Sequence, residues 1–161
     1  MTLTSHAVAG AAAASFFPKN PVPAFIFGFL SHFILDTIPH GHYPLRSHTR
    51  HPENRLSEDM VWGRTFFFDL IKISLDFALG AVLVFFLFPP NPIVFLGAFA
   101  GMLPDALQFV YWKIRREPLT SLQKFHIWMH AERNFNSRSA IAITIELGII
   151  ALSVFLVRFL A

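Results

Sequence analysis

The chain has 161 residues, of which 54% are hydrophobic and 14% charged, with a net charge of +3 at neutral pH. Soluble domains carry nearer ~25% charged residues, so the composition argues against a soluble domain and for an all-α, integral membrane helical bundle in a single domain, 1–161. There is no cysteine, which excludes disulfides and thiolate metal sites and leaves His, Asp, Glu and water as ligands for any metal.

About five apolar helices and one amphipathic helix are expected. Residues 4–17 read as a short small-residue helix, with Thr2 or Thr4 as its cap. Pro18, Asn20, Pro21 and Pro23 make a turn, and 22–38 form a second apolar helix ending at Pro39-His40-Gly41. Residues 40–64 lack apolar periodicity and read as a polar loop. The third run, 65–88, is long enough to span. The fourth, 92–115, spans with an interruption at Gly101 and Pro104. An amphipathic helix follows at 119–133 and a last span at 139–160. The first two helices are short for a bilayer, and either tilt or sit partly within the protein.

If the first four segments alternate across the membrane, the 40–64 and 113–138 stretches fall on one side. Together they hold ten of the thirteen Lys and Arg, including Arg46, Arg50, Arg133 and Arg138. The positive-inside rule makes that side cytoplasmic, with the N-terminus there too. The expected location is the inner membrane, multi-pass. The basic residues mark segment ends, so nucleic acid is not the expected partner. MTLTSHAVAG has no positive region ahead of its small-residue run, so it does not read as a cleaved signal peptide.

The same topology gathers the ionisable residues of the apolar segments at one depth. These are His6, His32, Asp36, Asp69, Asp76, Asp105 and Glu146, with His126, His130 and Glu132 of the amphipathic helix beside them. Buried ionisable groups cost several kcal/mol unless paired, protonated or metal-bound, so their convergence makes a site. His32 and Asp36, and likewise His126 and His130, stand one helical turn apart and can chelate one ion. Asp105 after Pro104 either caps a broken helix or lines a cavity as a ligand. His6 is a cap, an interfacial residue or a ligand. Lys72 pairs with Asp69 or Asp76, leaving the other free, and Asp76 is then a second-tier ligand. Glu146 supports a ligand or acts as general base. His40 completes the metal set or serves catalysis, while His42 reads as a solvated turn residue. Arg46 and Arg50 are placed to neutralise a phosphate, and His48 and His51 belong to a headgroup-facing basic loop.

SHAVAG, GFLSHFILDTIPH and GMLPD resemble the membrane-bound metal-dependent hydrolases, small inner-membrane proteins distantly similar to the zinc-dependent phospholipase C proteins. The resemblance covers the first 40 residues and roughly 97–109, and FHIWMH is similar to a histidine-bearing helix of related proteins. It implies His6, His32, Asp36 and Asp105 as ligands. The chain departs from the family's HRG…HS-type histidine motif, of which RSHTRH is a loose echo. The first reading is therefore a cytoplasm-facing metallohydrolase of lipid-headgroup phosphoesters or phosphodiesters. It would use one or two divalent ions, zinc first and manganese or iron next. The alternatives are a non-enzymatic metal- or proton-binding membrane protein, such as a small transporter, and a membrane-anchored interaction protein. No HExxH, GxSxG or P-loop is present.

Overall fold

The computed structural model describes residues 1–42, 44–51, 53–131, 135–136 and 139–161. Glu132, Arg133 and Arg138, which entered the sequence argument, lie outside the described residues. The chain is mostly helical: α1 (Leu3–Ser15), α2 (Pro21–Asp36), α3 (Arg64–Leu87), α4 (Pro92–Ile114), α5 (Leu119–Met129) and α6 (Ala140–Leu160). Four two-residue strands complete it: β1 (Gly41–His42), β2 (His48–Thr49), β3 (Asp59–Met60) and β4 (Phe135–Asn136).

Three helices, α3, α4 and α6, are long and apolar enough to cross a membrane. The expected five apolar helices are not confirmed: among the described residues, α2 is the one shorter apolar helix beside these three. At a rise of about 1.5 Å per residue, α1 and α2 reach only about 20 and 24 Å against a hydrocarbon core of about 30 Å. Helix α1 instead becomes the centre of the bundle, with 11 of its 13 residues buried and α2, α3, α4 and α6 all packed against it. Helices α3 and α6 turn apolar side chains outward, among them Phe67, Phe68, Ile71, Phe86, Leu147 and Phe159. That is the expected face of a span against lipid.

The helix starts follow from local chemistry. Thr2 caps α1 by accepting from the Ser5 N–H, and Asn20 and Asn91 cap α2 and α4, each followed by a proline in the first turn. The expected break in the fourth helix does not occur. Helix α4 runs unbroken through Pro104, which is itself buried. The proline lacks only one N–H, and a helix packed on several sides tolerates that loss. Asp105 therefore stands inside a helix rather than at a new N-terminus.

Packing at the centre depends on missing side chains. A Cβ at Gly28 would lie 2.6 Å from the Gly97 carbonyl oxygen, and one at Gly10 would strike the same atom. A Cβ at Gly101 would strike the His6 carbonyl oxygen, and one at Gly97 would meet Ala14 Cβ and the Gly10 oxygen. Helices α1, α2 and α4 thus meet backbone to backbone through glycines, the small-residue packing typical of membrane helices.

Residues 44–51 and 53–63 fold onto the end of α4. Arg115 donates to the Leu56 carbonyl at 2.8 Å and the Glu58 carbonyl at 3.0 Å, Tyr111 donates to the Leu56 carbonyl at 3.0 Å, and Lys113 pairs with Asp59 at 2.6 Å. The described residues of the region expected as loop thus include a β2–β3 antiparallel pair.

Gly97→Ala should cost about 1–3 kcal/mol by overpacking, whereas Gly148→Ala, with nothing within 4 Å of its added Cβ, should leave stability unchanged. Thermal unfolding of both variants in one detergent checks the contrast.

Candidate metal centre

The glycine contacts bring together three of the four histidine- and aspartate-bearing elements, and α5 packs beside them against α2 and α4. His6 projects from the second turn of α1, His32 and Asp36 from the last turns of α2, Asp105 from α4, and His126 from α5. His6, His32, His40 and Asp36 are essentially fully buried, and His126 nearly so.

Two backbone bonds clasp the end of α2 to the end of α5. The Ala131 N–H donates to the Asp36 carbonyl at 2.8 Å, and the Phe135 N–H donates to the His40 carbonyl at 3.0 Å. The second bond belongs to a short parallel pairing of β1 with β4. Two histidine-bearing segments some 90 residues apart in sequence are in this way held side by side.

Asp36 is the hub. Its Oδ2 lies 3.2 Å from His32 Nε2 and 2.9 Å from His126 Nε2, and those two ring nitrogens are 3.2 Å apart. Asp105 Oδ1 stands 3.7 Å from His32 Nε2 and 4.0 Å from His126 Nε2. Ligands bound tetrahedrally at 2.0–2.1 Å are separated by about 3.3 Å, and these five distances bracket that value. Asp36 Oδ1 points the other way, 3.4 Å from His6 Nε2 and 3.8 Å from His40 Nε2. The Met1 amino group is 4.0 Å from the same oxygen.

Tautomers follow from the backbone. His32 Nδ1 lies 2.8 Å from the Gly101 carbonyl, His40 Nδ1 lies 2.7 Å from the Ile38 carbonyl, and His130 Nδ1 lies 3.2 Å from the Ala131 carbonyl. A carbonyl can only accept, so each Nδ1 carries the proton, and a ring in its neutral form then presents a lone pair at Nε2. Metal-ligating histidines are oriented by the same kind of outer bond. Burial pushes the His40 imidazole down to about 4 and the His42 imidazole down to about 2, and it lowers His130 as well. All three are neutral at pH 7, the form that ligates.

The donors also show what they lack. Both ring nitrogens of His6, Asp36 Oδ1 and His40 Nε2 are buried with no hydrogen-bond partner among the described residues. The ring of His6 stacks on that of His32 with centroids 3.9 Å apart. Asp36 ends α2, where the helix dipole already places partial negative charge. Converging lone pairs around a buried carboxylate are unfavourable without a cation or proton among them. The His/Asp groups could hold a metal ion, and their orphaned, electron-rich atoms fit one.

Two expected site residues are elsewhere. Asp76 accepts from the Leu3 N–H at 2.7 Å, the Thr4 N–H at 3.2 Å and the Thr4 hydroxyl at 2.6 Å. Glu146 accepts from the Thr2 N–H at 3.2 Å, the Ser5 hydroxyl at 2.6 Å and the Thr2 hydroxyl. Both carboxylates neutralise the exposed donors and positive dipole of the buried α1 N-terminus. Asp76 is therefore not a free ligand, and Glu146 is not directed at the cluster as a general base. Lys72 does pair with Asp69, at 3.0 Å, and Asp69 also accepts from the Ser47 N–H at 2.7 Å.

A cavity of about 1330 Å³ leads away from the cluster. Asp36, Asp105, His126 and His130 line it together with apolar residues of α3 and α4, such as Ile73, Phe77, Phe99 and Leu103. Leu70, Phe77 and Phe99 of its lining are exposed. Arg50 and Arg55 also line it, whereas Arg46 is exposed and does not. Sequence reasoning missed Arg55, although it belongs to the same basic loop. His42 was also missed: it is half-buried, with its ring centroid 4.7 Å from that of His40.

No protein-family model, curated protein or solved structure matches the chain.

Asp76→Ala and Glu146→Ala should each lower stability by about 1–2 kcal/mol through loss of a helix-dipole partner and leave the metal content unchanged. Thermal unfolding beside elemental analysis of the same samples checks both halves.

Proposed function

We propose that the protein is a membrane-embedded, metal-dependent hydrolase acting on phosphoesters of lipid headgroups. The observation that carries this is a cluster of imidazole and carboxylate donors around His32, with spacings of 2.9 to 4.0 Å, that lines a cavity whose other walls are largely apolar. His32, Asp36 and His126, with Asp105 as the most accessible member, would hold a divalent ion. A cysteine-free set of imidazoles and carboxylates suits zinc first, then manganese or iron. When bound, the ion supplies Lewis-acid polarisation of a phosphoryl oxygen and an activated water at neutral pH.

The chain's own residues do the rest. The apolar flanks of α3 and α4 accept acyl chains. Arg50 and Arg55 bind the phosphate, since a guanidinium matches two phosphate oxygens at once. The His32–Gly101 hydrogen bond holds the imidazole in its ligating tautomer. Trp62 and Trp128 are both strongly exposed at this end of the bundle, and exposed tryptophans favour the headgroup level of a bilayer. That depth puts the scissile bond beside the donors while the lipid tail remains in the apolar groove. The basic 40–64 and 113–138 stretches make this end the cytoplasmic one of an inner membrane.

Purified protein is expected to carry tightly held transition metal, to lose it in His32→Ala and in Asp36→Ala, and to release phosphate or headgroup from phospholipid vesicles only when loaded. Metal retention in both variants would sink the site, and a loaded protein inert on every phosphoester lipid tested would leave a metal-binding protein without hydrolysis. With no native cysteine, single cysteines at His48 and Ser121 can be labelled selectively. Both should react from the cytoplasmic side, and labelling from opposite sides would break the topology.

A further inference from the structure

A second group of histidines lies against the donor set just described and takes no part in it. His40 follows α2, His42 is on β1, and His130 is the C-cap of α5. Each offers a ring nitrogen within 4.8 Å of the others. The rings form a compact trio, with centroids 4.7 Å apart for His40–His42, 4.8 Å for His40–His130 and 4.9 Å for His42–His130.

Two of the three are oriented by the backbone. His40 and His130 spend Nδ1–H on the Ile38 and Ala131 carbonyls, which leaves Nε2 of each as a bare acceptor. His40 Nε2 faces Asp36 Oδ1 across 3.8 Å, and neither atom has a hydrogen-bond partner among the described residues. Both side chains are almost wholly buried. A lone pair and a carboxylate oxygen set against each other away from water repel unless a positive charge stands with them, and the charge already beside that oxygen is the Met1 amino group at 4.0 Å. Asp36 Oδ2 is meanwhile committed to His32 and His126. One carboxylate therefore has one oxygen in the first donor group and the other facing His40 of the second.

We propose that His40, His42 and His130 hold a second divalent cation, with Asp36 bridging the two ions through its two oxygens. The inference rests on the hydrolase reading and extends it. Paired ions about 3.5–4 Å apart clamp the attacking and leaving oxygens of an in-line phosphoryl displacement, so a two-ion centre suits the phosphoester of the proposed reaction. It also gives His42 a role, and explains why the β1–β4 pairing fixes the chain where it does: the pairing carries His42 to the His130 side of the cluster.

The test uses the full chain in detergent, stripped with a chelator and then titrated with Zn(II) or Mn(II) alone. Bound ions are counted by elemental mass spectrometry, with thermal unfolding as the folding control. Wild type should saturate at two ions per chain and the His42→Ala/His130→Ala double variant at one. Paired Mn(II) in the wild type should show spin coupling by electron paramagnetic resonance, and the variant should show an isolated ion. Should the double variant fail to fold, His42→Ala alone, at a half-buried edge position, gives the same count. Saturation of the wild type at one ion, or two ions retained in the variant, overturns the second site. One ion held by the wild type and lost in His32→Ala leaves the hydrolase reading standing without it, while a folded chain that binds none overturns both.

Discussion

Everything at the functional end of this bundle depends on how closely three backbones can approach. Gly10, Gly28, Gly97 and Gly101 leave no room for a Cβ where α1, α2 and α4 meet. In a bilayer, where apolar surface gains little from leaving lipid for protein, close van der Waals contact of this kind is the main attraction between helices. It also sets the reach of short side chains. Gly101 touches the backbone of His6 and receives the ring of His32 on its carbonyl. Helices held a few ångströms farther apart would leave an aspartate and an imidazole unable to share an ion. Packing and chemistry are therefore one constraint, and the glycines position the donors without being donors to the site themselves.

The ionisable residues of the apolar segments divide into two populations with different physical tasks. Asp36, Asp105 and the histidines gather lone pairs in one place and need positive charge from outside the side chains. Asp76 and Glu146 meet positive charge already built into the fold, the N–H groups at the start of α1. From sequence the two populations look alike, because both are acidic residues at the same depth in apolar helices. Only the direction in which each helix face points separates them.

The helical elements were legible because apolar runs bounded by proline and asparagine leave little freedom of interpretation, and α2, α3, α4 and α6 fall within a few residues of their expected ends. The His32–Asp36 pair and His126 were legible through helical spacing, which fixes a shared face whatever the tertiary fold. Pro104 misled because a proline's local cost is visible in sequence and the packing that absorbs it is not. The central burial of α1 was hidden for a related reason. Alanine and glycine are compatible with a lipid-facing helix and with a buried one, and the choice depends on the partners. His42 was hidden because its neighbours come from β4 and the end of α5, far along the chain.

The capping of α1 has a consequence for assembly. Its exposed N–H groups and the carboxylates of Asp76 and Glu146 are each costly at membrane depth alone, and each is relieved by the other. Helix α1 thus finds the carboxylates that relieve it on α3 and α6, 73 and 144 residues further along. Helix α1 is a plug seated by two separate spans, and a chain truncated before α6 would lack the Glu146 half of its seat.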